Sequence, residues 1–184
     1  TGEDDQRDKD SFEMNRLFNV GIMHGAGDMP PVTATGYANK IGVTTAVAEI
    51  GGGGLSGMVQ KKALNIGIDG VFNVMRYLKM VPGDPIPPGK QLYGTWQPHV
   101  RPTKAGYLLT EFEPDSLFEH SPLGVPVHAG DLLGTVFDPH TFEEVERLYV
   151  PADGVLYLCR TSGPVEAGSH AYAVTAYQGG QWVD

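Results

Sequence analysis

The 184-residue chain holds one cysteine, Cys159, two tryptophans, and no run of lysine or arginine anywhere along its length. A single thiol cannot close an internal disulfide, so a reducing, cytoplasmic setting is the expectation and stability has to come from packing. No secretory leader is recognisable and no apolar stretch reaches about 18 residues, which argues against a membrane-crossing helix. Lysine and arginine total 13 against 22 acidic residues, for a formal net charge of −9. That sign repels phosphate backbones and anionic lipid headgroups, so nucleic acid and membrane are argued against as partners. Small molecules and proteins remain. The hydrophobic fraction of 41% is ordinary for a folded chain that closes a core in one large domain or two small ones.

Against these absences stands one conspicuous stretch, Thr44-Thr45-Ala46-Val47-Ala48-Glu49-Ile50, which runs directly into Gly51-Gly52-Gly53-Gly54. A β-branched apolar run with one carboxylate near its end reads as a buried strand that delivers an acid to an open sheet edge. An ionised glutamate in such a place needs a partner or a purpose. Glu49 is therefore either half of a structural ion pair or a carboxylate held for chemistry.

Around it the pattern is α/β. Thr1 to Asp10 is charged and reads as solvated, and Ser11 can cap a short helix with Phe12, Leu17 and Phe18 on one face. Asn19 to Met23 reads as a strand ended by His24 and a glycine turn. Thr33 or Thr35 starts a helix with Tyr37, Ala38 and Ile41 facing inward, and Gly42 is suited to end it in the left-handed conformation. Past the glycines, Leu64, Ile68, Val71, Met75 and Leu78 recur at spacings of four and three, which predicts a helix packing back on the sheet.

The proline-rich stretch from Val81 to Gly89 leaves little room for helix or sheet pairing, and the pattern changes after it. The division expected is residues 1–81 as an α/β part, 82–90 as linker and 91–184 as a small β-barrel or sandwich. Within the last, Pro126-Val-His-Ala-Gly-Asp and a run ending at Val136 are echoed by Pro164-Val-Glu-Ala-Gly-Ser and a run ending at Val174. Ala105-Gly106-Tyr107-Leu108 and Asp153-Gly154-Val155-Leu156 precede their respective copies. Two related β halves are expected, as in the barrel-sandwich hybrids that include biotinyl and lipoyl carriers. Such carriers present a lysine between the halves, whereas the segment from Phe137 to Glu143 contains none.

Gly52, Gly54 and Gly57 satisfy G-x-G-x-x-G, so a dinucleotide site is the alternative for this loop. It would set a pyrophosphate beside Glu49, and no second strand ending in an acid follows at about 20 residues. Glycines that let the backbone turn tightly, or that keep the space before Glu49 open, fit the same spacing.

The run from Gly42 to Gly54, then Gly70-Val71-Phe72-Asn73-Val74-Met75-Arg76-Tyr77-Leu78, then a proline-rich link into a β domain, resembles the C-terminal half of the succinylglutamate desuccinylase and aspartoacylase family. Lys104-Ala-Gly-Tyr, Val127-His-Ala-Gly-Asp-Leu-Leu-Gly and Val150-Pro-Ala-Asp-Gly-Val resemble that family's terminal domain, which also closes N-acetyl-diaminobutyrate deacetylase-like members. The resemblance implies the C-terminal part of a zinc-carboxypeptidase-like α/β domain followed by a small all-β, barrel-sandwich-hybrid-like domain. It also implies a zinc-dependent amidohydrolase, or deacylase, acting on an N-acylated amino acid or similar small amide.

By the same resemblance Glu49 matches the general base that takes a proton from water and passes it to the leaving amine, while Gly51, Gly52 and Gly53 floor the substrate pocket. The family's zinc ligands, a His-x-x-Glu motif and a further histidine, precede that glutamate and have no counterpart here. His140-Thr-Phe-Glu143 has the spacing but lies in the β domain, and His24 stands too close to Glu49 for the family layout. No metal ligand is therefore assigned in this chain. Zinc is expected to be held by an upstream segment or a partner chain, in an enzyme expected to be a homo-oligomer. Arg76 and Arg101 are the nearest candidates for recognising a substrate carboxylate, beside a plainer surface role. Thr1 as an N-terminal nucleophile would need a rigid site that its charged surroundings do not offer.

Overall fold

The computed structural model describes residues 2–24, 30–52, 57–94, 99–112, 124–178 and 180–183. The chain divides into two compact units, one of residues 1–52, 57–93 and 182–184, the other of 53–56 and 94–181.

The first unit begins with α1 (Gly2–Phe18), longer than the sequence pattern indicates. The charged lead-in is helical, with Gln6 donating to Asp10 a turn away at 2.9 Å, and further along the helix Arg16 pairs with Glu13 at 2.7 Å. That pairing lowers the Glu13 pKa and raises that of Arg16. Ser11 is consequently not a cap but a mid-helix residue, and its hydroxyl donates to the Thr45 carbonyl at 2.5 Å. A three-stranded sheet follows in the order β1-β2-β10, built from β1 (Ile22–His24), β2 (Gln91–Gly94) and β10 (Gln181–Val183). Between β1 and β2 in sequence come α2 (Ala34–Lys40) and α3 (Gly57–Tyr77).

Thr33 caps α2 as its position predicts, accepting from the Gly36 N–H at 3.0 Å, and Gly42 closes the helix at φ 82°. The predicted inward face does not hold. Tyr37 and Ile41 are exposed, and Gly36 is the buried residue of α2.

The same inversion governs α3. Its buried positions are Ala63, Gly70 and Asn73, a stripe of small and polar residues, while Leu64, Ile68, Val71, Phe72 and, just past the helix, Leu78 stand exposed. Small residues are what that stripe requires, because α1 crosses it closely: a Cβ on Gly70 would come within 2.7 Å of the Phe18 ring. At the end of the stripe, buried Asn73 donates to the carbonyls of Leu17 and Ile86, each at 2.8 Å, and accepts the Ile86 N–H at 2.6 Å. One amide thus joins the last turn of α1, the C-terminal part of α3 and the proline-rich stretch.

The second unit is all β. Its larger sheet has the order β6-β5-β3-β8, from β3 (Gly106–Thr110), β5 (Leu132–Phe137), β6 (Glu144–Tyr149) and β8 (Gly163–Val165). The other has the order β4-β7-β9, from β4 (Val125–Val127), β7 (Gly154–Cys159) and β9 (Tyr172–Ala176). All pairings within these two sheets are antiparallel.

The predicted repeat is visible in the topology. In each half the first strand pairs with the third of its own half, β3 with β5 and β7 with β9. The second strand crosses to the other half, β8 to β3 and β4 to β7. Equivalent positions supply the core: Leu108 with Leu156, Val127 with Val165 and Val136 with Val174, all nearly inaccessible to solvent. Tyr172 is wholly buried among them, and burial raises the pKa of its phenol. Gly106 and Gly154 open the two halves where a side chain would strike a neighbouring strand's backbone, at Phe137 and Thr175 respectively.

A polar clasp holds the segment before β3 to the loop before β9. Arg101 donates to the Gly168 carbonyl at 2.5 Å and to His170 Nε2 at 2.6 Å, and His170 Nδ1 meets His99 Nδ1. Because Nε2 of His170 accepts, its ring proton lies on Nδ1 and points at His99, which accepts in turn. Burial, then the neighbouring His170 and Arg101, lower the pKa of His99.

Two outcomes are expected. Asn73→Ala lowers stability to urea by about 2–4 kcal/mol, because three hydrogen bonds go and a half-buried N–H is stranded. Asn73→Asp does no better, since a carboxylate accepts from Ile86 but repels the two carbonyls; a wild-type midpoint in either variant contradicts the role. For the clasp, the unfolded chain takes up the His99 proton first, at about pH 6.5, while the folded form takes it up only at lower pH. The contribution of neutral His99 is therefore complete above that value and is lost as pH falls through it. Thermal unfolding followed from pH 7.5 to 5 should show this loss, and His99→Gln should flatten it.

Candidate functional site

The run that carries Glu49 is anchored at its start. Gly42 reverses the chain after α2, and the Val43 N–H bonds back to the Ala38 carbonyl at 2.9 Å. Thr45 is then fixed twice: its hydroxyl donates to Asn39 at 2.9 Å and its carbonyl receives the Ser11 hydroxyl.

Between these anchors and the glycines the predicted strand is absent. Residues 43–50 carry no regular secondary structure, and none of the three sheets among the described residues includes them. A β-branched composition favours a strand, but a ladder partner makes one, and here the run has none. Glu49 is exposed rather than buried, and among the described residues no ion pair or hydrogen bond holds its carboxylate. Of the two roles that the sequence leaves open, the structural ion pair is not formed. Gly51 and Gly52 have φ of 78° and 143°, so both need the freedom of glycine, and a Cβ on Gly52 would meet nothing within 4 Å. Gly53 and Gly54 lie outside the described residues. The G-x-G-x-x-G alternative loses its footing as well, since that fingerprint follows a strand and no strand ends here.

The remaining candidates are scattered. His24 ends β1 and is half-buried. His140 is exposed in the turn between β5 and β6, where Asp138 accepts from the N–H groups of His140 and Thr141 at 2.7 and 3.1 Å. Those bonds lower the Asp138 pKa and make the turn a self-contained loop. Arg101 is committed to its clasp with Gly168 and His170, and Arg76 lies half-buried near Gly83. Thr1 is outside the described residues. Among the described residues no three His, Cys, Asp or Glu side chains gather as a metal site would require, and no helix is long and apolar enough to cross a membrane.

Sequence patterns missed one feature of this region, an open groove of about 360 Å³ lined by Phe18, Ile50, Leu64, Gly67, Ile68, Val71 and Phe72. The 64-68-71 spacing marks these α3 residues as one face, but spacing cannot tell whether a face is covered.

No family profile matches the chain, and no curated protein matches it in sequence. Solved structures do match. The apo form of the ectoine utilization protein EutE (DoeB) from Ruegeria pomeroyi superposes with a TM-score of 0.72 at 19% identity, over 90% of this chain and 50% of that one. A succinylglutamate desuccinylase/aspartoacylase from Rhodobacter sphaeroides gives 0.73 at 16% identity, over 94% and 50%. A succinylglutamate desuccinylase from Silicibacter gives 0.74 at 20% identity, again over 94% and 50%. The chain is a mixed α/β protein that spans about half the length of these structures, and what it shares with them is the fold of that half.

Proposed function

We propose that the chain is the C-terminal half of a deacylase that hydrolyses the amide bond of an N-acylated amino acid or similar small amide, with Glu49 as general base. The observation that carries this is the likeness to desuccinylase and aspartoacylase structures over nine-tenths or more of the chain. The local chemistry is compatible with it. Among the described residues Glu49 is a carboxylate without a structural partner, and just beyond it Gly51 and Gly52 turn the backbone without side chains that would fill the space.

In this scheme a water oxygen bonds to the acyl carbon while its proton passes to the Glu49 carboxylate. The tetrahedral intermediate then collapses, the C–N bond breaks, and Glu49 returns the proton to the departing nitrogen. A carboxylic acid and a free amine leave, and Glu49 is again ionised. The residues described here do not fit a zinc site, so no step is assigned to a metal within this chain. Zinc, with the ligands that hold it, belongs in this proposal to a companion polypeptide or upstream segment, together with most of the groups that select the substrate.

The paired repeats of the second unit fit the barrel-sandwich type. Their turn from Asp138 to Glu143 carries no lysine, which removes the chemistry that a carrier needs.

The test is hydrolysis of a panel of N-acyl amino acids by the chain with and without its natural upstream polypeptide. Turnover should require both. Glu49→Gln should reduce it by about 10²–10⁴-fold, the range for losing a positioned general base, while leaving the thermal unfolding midpoint unchanged. Turnover that survives in that variant would refute the assignment.

A further inference from the structure

Helix α3 packs its small residues inward and leaves its large apolar ones in water. Leu64, Ile68, Val71 and Phe72 are 61, 45, 50 and 46% exposed, and beside them Val43, Val47 and Ile50 are 49, 51 and 37% exposed. Ile50 reaches α3 directly, its Cδ1 lying 2.8 Å from where a Cβ on Gly67 would stand. Five of these side chains, Ile50, Leu64, Ile68, Val71 and Phe72, line the open groove with Phe18. A contiguous apolar patch of this kind marks an interaction surface.

Two features identify what covers it. The first is the unpaired run 43–50, rich in β-branched residues, whose backbone groups have no ladder partner among the described residues. A strand supplies a matching row of donors and acceptors where a helix, with its own groups already used, cannot. A βα segment with an unpaired strand run and an uncovered helix stripe is one that lacks its sheet. The second is size: the solved structures sharing this fold are about twice as long as the region they share with it. A second copy would bring another α3, but its own first-unit sheet consists of strands only three or four residues long.

We propose that the apolar face of α3 and the run 43–50 together dock a companion β-sheet. It is supplied by a polypeptide equivalent to the half of the deacylase fold that this chain does not match. Its edge strand pairs with residues 43–50, and its apolar face covers Leu64, Ile68, Val71 and Phe72. The choice of companion rests on the deacylase proposal; the need for a sheet rests on the uncovered face.

The probe is the unmatched half of the Ruegeria pomeroyi ectoine utilization protein, expressed separately and mixed with the full chain. Sedimentation velocity should show a one-to-one complex. Hydrogen exchange should slow by about tenfold or more at the backbone of 43–50, as pairing demands, and stay unchanged in β3 to β9. Ile68→Glu and Val71→Glu alter exposed positions, so circular dichroism of the chain alone should be unaffected while the complex is lost. Val145→Glu, on β6, should leave it intact.

Absence of a complex, protection confined to the second unit, or a complex indifferent to both α3 charges overturns the proposal. So does a dimer of this chain that Ile68→Glu dissolves, since the occupant is then a second copy. A complex with the expected protection but no amide hydrolysis refutes the deacylase proposal alone. Hydrolysis by chain and companion together while this face stays uncovered refutes the docking proposal alone.

Discussion

The side-chain amide of Asn73 is the constraint on which the first unit turns. Leu17 leaves a carbonyl free as α1 ends, and Ile86 lies in a proline-rich stretch that cannot satisfy its own backbone by forming a helix. Burying those groups unpaired would cost about 1–3 kcal/mol each. An amide is suited to the place because it carries donors and an acceptor on one flat group, and Asn73 uses both nitrogen-bound hydrogens and its oxygen. The consequence reaches along α3. With Asn73 fixed inward against α1, helical geometry turns Ala63 and Gly70 inward too, and Leu64, Ile68, Val71 and Phe72 to the opposite side.

The second unit is held by a different principle. Two homologous triplets of strands exchange their middle members, so each sheet contains a strand from both halves and neither half closes a core without the other. Equivalent apolar positions then meet in one cluster around Tyr172. The glycines at the start of each half are fixed by the pairing within that half, because β5 approaches Gly106 and β9 approaches Gly154 too closely for a Cβ. This is a local, self-completing design, in contrast to the first unit.

That contrast explains what could be read from the sequence. The repeat was legible because alternation and turn residues encode each strand locally, and Leu108, Val136, Leu156 and Val174 are buried as their spacing indicates. The Thr33 cap and the Gly42 terminator were legible for the same reason. Residues 43–50 were not, because strand formation depends on a partner elsewhere, and composition reports only preference. The extent of α1 escaped because its first half is stabilised by pairs such as Gln6 with Asp10 rather than by an apolar stripe. On α3, periodicity found the apolar face correctly, but only the structure shows that α1 occupies the other one. Glu49 was legible as a residue to explain, while its surroundings were not.

The uncovered face and the proposed base are one problem. Glu49 lies between Ala48 and Ile50 in the run that would become a strand, so its carboxylate gains a fixed direction only when that run is paired. A general base contributes only if held within hydrogen-bond reach of the proton it takes, and an exposed carboxylate on an unpaired segment is not so held. Pairing would also bring apolar surface against α3 and remove bulk water from the neighbourhood of Glu49. Assembly and catalysis are in this scheme a single event: the hydrogen bonds that complete the sheet are the ones that aim the base.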